Sequence, residues 1–88
     1  MTQNVGSPKN VTATGVVWSA PGYLLGVVVN ASSSGTLTLY DNTAASGTKI
    51  ATTLSVTAGQ YVPIPAALAV GLHCTIGGTA DVTFFIGI

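Results

Sequence analysis

The 88 residues provide for one domain around one core. Charge is nearly absent: Lys9, Lys49, Asp41 and Asp81 cancel to zero net charge, while hydrophobic residues make up 48% of the chain. That balance excludes a basic surface for nucleic acid or anionic lipid, and the single cysteine, Cys74, excludes an internal disulfide framework.

Residues 1–10 are rich in Asn, Gln, Ser, Gly and Pro. They read as an irregular N-terminal arm, with residues 11–88 forming the domain. The segment Met1 to Lys9 is polar and lacks the apolar stretch of a secretory signal. From Val11 onward the pattern is of short strands. Val11 to Trp18 is β-branched and ends at the turn signal Ala20-Pro21-Gly22. Tyr23 to Asn30 is continuously apolar and predicts a strand covered on both faces. Gly26 within it predicts a bulge or a close backbone approach. Ser32-Ser33-Ser34-Gly35 predicts a turn.

Thr36 to Tyr40 alternates, with Leu37 and Leu39 on one side and Tyr40 on the other. Asp41-Asn42 predicts the start of an Asx-type turn. Ile50, Thr52, Leu54 and Val56 then share a face, and Ala58-Gly59 predicts a turn. Gln60 to Pro65 contains two prolines, each lacking a ladder donor, and so predicts an edge strand or an extended linker. Pro65 to Ala69 reads as a short helical turn or irregular. Val70, Leu72, Cys74 and Ile76 predict an inward set, with His73 and Thr75 outward. Gly77-Gly78 predicts a turn, and Val82, Phe84, Ile86 and Ile88 close the core, with Phe85 opposite. About seven or eight short strands without a long helical period predict an all-β fold: a compact antiparallel β-sandwich, possibly jelly-roll-like in its connectivity.

Few residues could carry chemistry. His73 and Cys74 are neighbours, and adjacent strand positions point apart, so a catalytic pair is disfavoured. Cys74 reads as a small buried apolar residue and His73 as a surface or interface residue. Asp41 and Asp81 read as turn residues whose carboxylates bind nearby amides. No serine sits in an activating motif, and no cluster predicts a metal or cofactor. The reading is of a protein that is not an enzyme and has no catalytic, metal or cofactor residues. The aromatics say more. Trp18, Tyr23, Tyr40, Tyr61 and Phe85 cannot all enter one small core, and exposed aromatic area often marks a contact surface. Tyr23, Tyr40 and Phe85 are the candidate interface residues. A sugar-stacking platform is the other use of such rings.

The stretch Gly35-Thr36-Leu37-Thr38-Leu39-Tyr40-Asp41-Asn42-Thr43, continued by Ala45-Ser46-Gly47-Thr48-Lys49-Ile50, resembles small structural proteins of tailed bacteriophages. Gly71-Leu72-His73-Cys74-Thr75 and Gly78-Thr79-Ala80-Asp81-Val82-Thr83 extend the similarity over most of the chain after the arm. Such proteins are head-decoration, cement or fibre-base components, usually β-rich and often trimeric. The resemblance implies a virion protein on the outer surface of the head, present in the host cytoplasm during assembly. Its partners would be itself, as a homotrimer, and the major capsid protein. The alternative is a tail, fibre-base or host-glycan-binding module. No binding residue carries over, and His73-Cys74 stands where Tyr or Val followed by Thr or Val is expected.

Overall fold

The computed structural model of the protein describes residues 7–87. Six strands account for most of them: β1 (Ser7–Val11), β2 (Gly15–Trp18), β3 (Gly22–Asp41), β4 (Thr48–Ser55), β5 (Tyr61–Leu68) and β6 (Leu72–Gly87). The fold is all-β, every strand pairing is antiparallel, and the described residues contain no helix. Two strands dominate. β3 spans 20 residues and β6 spans 16, and they pair along almost their whole length.

A straight strand the length of β3 would run about 66 Å at ~3.3 Å per residue, yet the longest dimension of the molecule is 38 Å. The strand therefore bends back. Its first residue, Gly22, pairs with Leu68, and its last, Asp41, accepts a hydrogen bond from the backbone N–H of Ala69 at 3.0 Å. Both ends of β3 thus meet consecutive residues of one segment. The ends of β6 converge likewise. Leu72 pairs with Trp18 and Gly87 with Tyr23, while the Trp18 indole N–H donates to the carbonyl of Pro21 at 3.4 Å.

The bend lies where Ser33 faces Thr79 and Thr36 faces Gly77, so that Ser34 and Gly35 stand opposite Gly78. This is a bulge, two residues against one. Ser34 (φ 53°) and Gly78 (φ 70°) both take left-handed backbone conformations there. The sequence suggests turns at Ser32–Gly35 and Gly77–Gly78, and the structure corrects both. Neither is an isolated turn that ends one strand and starts the next. The two strands bend together and stay paired, because each is flanked on both sides by residues that bury the same face.

The bend creates two layers. In layer I the order is β1, the C-terminal half of β6, the N-terminal half of β3, then β5; in layer II it is β2, the N-terminal half of β6, the C-terminal half of β3, then β4. Eight strand segments result, four to a layer, in nested antiparallel pairs. This is the connectivity of a double-sheet jelly roll. Leu24, Val27, Val29, Val82, Phe84 and Ile86 of layer I and Leu37, Leu39, Leu72 and Cys74 of layer II are all buried in one cluster. Each of the larger side chains contributes about 1.5–3 kcal/mol by leaving water.

Several local expectations change. The arm expected over residues 1–10 gives way to strand from Ser7, because Ser7 to Val11 pair with Ile86 to Val82; the rest of the arm and Ile88 lie outside the described residues. Residues 66–68 continue β5 rather than forming a helical turn, since Ala66, Ala67 and Leu68 pair with Leu24, Tyr23 and Gly22. Ala51, not Thr52, faces Leu39, and Thr53 (φ 48°) lies within the register shift of β4. Val70 is 48% exposed rather than inward, because β6 begins only at Leu72. Tyr23 to Asn30 buries one face only: Leu24, Val27 and Val29 are inside, while Tyr23 is 57% exposed.

A β-carbon on Gly78 would collide with the carbonyl of Ser34, whereas one on Gly59 (φ 84°) would meet nothing within 4 Å. Gly59→Ala therefore carries only the left-handed penalty, about 1–2 kcal/mol. Gly78→Ala adds the collision at the bend and should lose about 3 kcal/mol or more. Urea unfolding midpoints of the two variants check this, and equal losses would contradict it.

Candidate functional site

The outer face of layer I is built by strand alternation and cross-strand register. Burying Leu24, Val27, Val82, Phe84 and Ile86 forces Tyr23, Thr83 and Phe85 outward. Neighbouring strands then place residues in transverse rows. Phe85 lies between Pro8 and Gly26, and Gly26 also faces Pro63. Tyr23 lies between Gly87 and Ala67. Val28 lies between Thr83 and Tyr61. These rows contain no charged residue.

Gly26 is a structural requirement of this face. Its register shift against β5 and β6 opens the strand, and the Tyr61 ring lies over it. A β-carbon at Gly26 would stand 2.8 Å from Cζ of Tyr61. Only glycine lets the ring lie against the backbone. Tyr61 nonetheless remains 53% exposed. At the end of the face, an open depression of about 300 Å³ is lined by Pro21, Gly22, Tyr23, Ala67 and Leu68.

Of the three interface candidates, Tyr23 and Phe85 share this face. Tyr40 does not. It lies on the outside of layer II, half-buried, with its ring 6.1 Å from that of His73 at 64°. Tyr61, one of the five aromatics that cannot all enter the core though not among the three interface candidates, joins Tyr23 and Phe85 on this face. The signal that could have found it is Gly26, whose absent side chain leaves room for a ring from the adjoining strand.

His73 is on the outer side of layer II, as alternation predicts, but it is only 8% exposed, which corrects the surface reading. Val16 and Tyr40 flank it across the strands. Its Nδ1 and the Oγ1 of Thr75 are buried without a hydrogen-bond partner among the described residues. Cys74 points the other way and is fully buried; burial pushes its thiol pKa up to about 12. A thiol so placed is no nucleophile at neutral pH. Among the described residues, no three of His, Cys, Asp and Glu come together as a metal site.

The two carboxylates are bound further afield than turn chemistry suggests. Asp41 accepts hydrogen bonds from the backbone N–H groups of Ala69, Val70 and Gly71 at 3.0, 3.0 and 3.3 Å. It ties the end of β3 to the link between β5 and β6, which closes the two layers at one end. The adjacent Asn42 makes the local turn instead, accepting from the Thr43 N–H at 2.7 Å. Asp81 accepts from the side-chain amides of Asn10 at 2.7 Å and Asn30 at 3.2 Å. Both amides also donate to Thr83 Oγ1, at 3.3 and 3.0 Å. This cluster forms the polar end of the outer face of layer I. At the layer edge, the Lys9 ammonium lies 5.2 Å from the centre of the Trp18 ring, joining β1 to β2.

Hydrogen bonds to the charged form lower both carboxylate pKa values: at Asp41 from Val70 and Ala69 first, at Asp81 from Asn10 and then Asn30. A group whose folded pKa is depressed adds stability above its ordinary value of 3.8, and that stability is lost as pH falls through the folded pKa. Asp41→Asn keeps the size but removes the charge. Its thermal midpoint should fall below that of the parent at pH 6, and the gap should close as both are measured toward pH 2. A gap independent of pH would contradict the clamp.

Comparisons with protein-family models, curated proteins and solved structures find no match.

Proposed function

We propose that this protein is a virion structural protein that decorates and stabilises an icosahedral phage head as a cement protein. The observation that carries this reading is the set of uncharged rows on the outer face of layer I, with Tyr23, Tyr61 and Phe85 set among glycine, proline and alanine on a jelly-roll framework. Such a face suits contact rather than chemistry. Double-sheet jelly rolls also serve in viral capsids, a fold-level analogy that supports the reading without identifying a site. The resemblance of the strand segments to phage structural proteins points the same way.

The mechanism is mechanical. Each copy bridges joints between major capsid protein subunits by burying apolar surface and making backbone-rich polar contacts. Individually weak contacts add as avidity across the lattice and resist outward pressure from packaged DNA. A second reading, a tail, fibre-base or host-glycan-binding module, is favoured by one feature: the open depression beside Tyr23, which offers a ring for stacking.

Quantitative mass spectrometry of purified particles, with antibody labelling in electron microscopy, separates these readings. The cement reading expects a copy number that scales with the capsid subunits, label over the head, and earlier head rupture on heating once the protein is stripped. A few copies at the tail, or none in the particle, would overturn it.

A further inference from the structure

The run from Tyr23 to Asn30 has the composition of a strand buried on both sides, yet the described residues cover one side only. The other side belongs to the uncharged rows of layer I. We infer that this face is a self-association surface, covered by the same face of a second copy of the chain in a twofold pair. The contact centres on Tyr23, Val28, Tyr61 and Phe85. The inference names the surface by which copies meet and does not rest on the capsid reading.

Three observations select a second copy as the occupant. The first is charge. The four charged side chains all lie off the rows: Lys9 reaches Trp18, Asp41 clamps residues 69–71, Lys49 is on β4, and Asp81 sits in the polar cluster at the end of the face. An ordinary protein surface is about 25–35% charged, and most partners would have to bury charge against a face with nothing to pair it. The same face of another copy imposes no such cost.

The second observation is the state of the edges. The edges of layer I are β5, which contains Pro63 and Pro65, and β1, which contains Pro8 and Lys9; those of layer II are β4, bulged and carrying Lys49, and β2, only four residues long and bulged. These features obstruct addition of another strand. Association is therefore directed to the face. The third is area. Four strands about 4.8 Å apart and roughly six residues long give a footprint on the order of 400 Å² per copy. That is about half the ~800 Å² per partner of a standard stable interface, the scale of a weak, reversible pair. A surface that contacts itself closes as a dimer, not as the trimer that the phage resemblance implies.

Sedimentation velocity of the full chain, from micromolar to millimolar concentration, tests this. The expected result is a concentration-dependent rise from one chain to the mass of two. Tyr23→Lys and Thr83→Lys, placed on the face, should each weaken the pair about tenfold or more. Val16→Lys, at a residue 50% exposed on layer II, should leave it unchanged. Amide spectra of each variant confirm that it is folded before its association is read. A chain that stays monomeric throughout, a trimer, or a pair that survives both face substitutions would overturn the inference. A monomer still present in quantity on phage heads would sink this inference alone, whereas a self-pairing chain absent from particles would sink the capsid reading alone.

Discussion

The structure depends on two long strands bending at the same place without parting. β3 and β6 run side by side through both layers, and the bulge of Ser34 and Gly35 against Gly78 folds them as a unit. Because the inward-facing residues on either side of the bend belong to the same strands, folding the ribbon brings Leu24, Val27 and Val29 into one cluster with Leu37 and Leu39. The hydrophobic gain of closing the layers is what holds the bend, and the left-handed backbone at Ser34 is the local strain it must overcome, whereas Gly78 takes its own left-handed conformation without a side chain to oppose it. Removing either would affect the whole molecule, since among the described residues no other strand crosses from one layer to the other.

Closure leaves polar groups at the margins and apolar groups on one outer face. The Asp41 clamp satisfies three backbone donors in a link that neither layer could pair, which is why a charge survives there in a chain so poor in charge. The Asn10, Asn30, Asp81 and Thr83 cluster bounds the apolar rows of layer I at one end. The buried Nδ1 of His73, without a partner among the described residues, runs against this economy, and nothing in the structure accounts for it. Exposed apolar residues also stand elsewhere, at Val16 and Val70, but the aromatic rows of layer I form the broadest such surface among the described residues, and the proposed capsid contact and self-association compete for it.

Strand content and most of each inward set, Thr52 and Val70 excepted, were legible from alternation alone, because period-two patterning reports which face meets the core. Leu37 and Leu39, and Val82, Phe84 and Ile86, are buried as the alternation implies. Cys74 is the small buried residue expected. The jelly-roll connectivity was anticipated as a possibility, but not the bends that produce it. Glycine and serine clusters at 32–35 and 77–78 carry the same local signature whether a chain reverses or two strands bend together, and only the long-range pairing between them decides. His73 misled for a similar reason. Alternation placed it on the outer side of the strand but could not show that Tyr40 and Val16 would cover it there. For the outer face, Tyr23 and Phe85 were readable from alternation, whereas the place of Tyr61 depended on a register that no local pattern encodes.

The folded-over ribbon can be tested by one distance. Spin labels at Ala20 and Thr43, exposed residues just beyond the two ends of β3, report the separation of those ends by pulsed electron resonance once Cys74 is replaced by alanine. The bent strand predicts a distribution well inside the 38 Å length of the molecule. A distribution centred near 60 Å, approaching the ~66 Å of an unbent strand, would contradict the account.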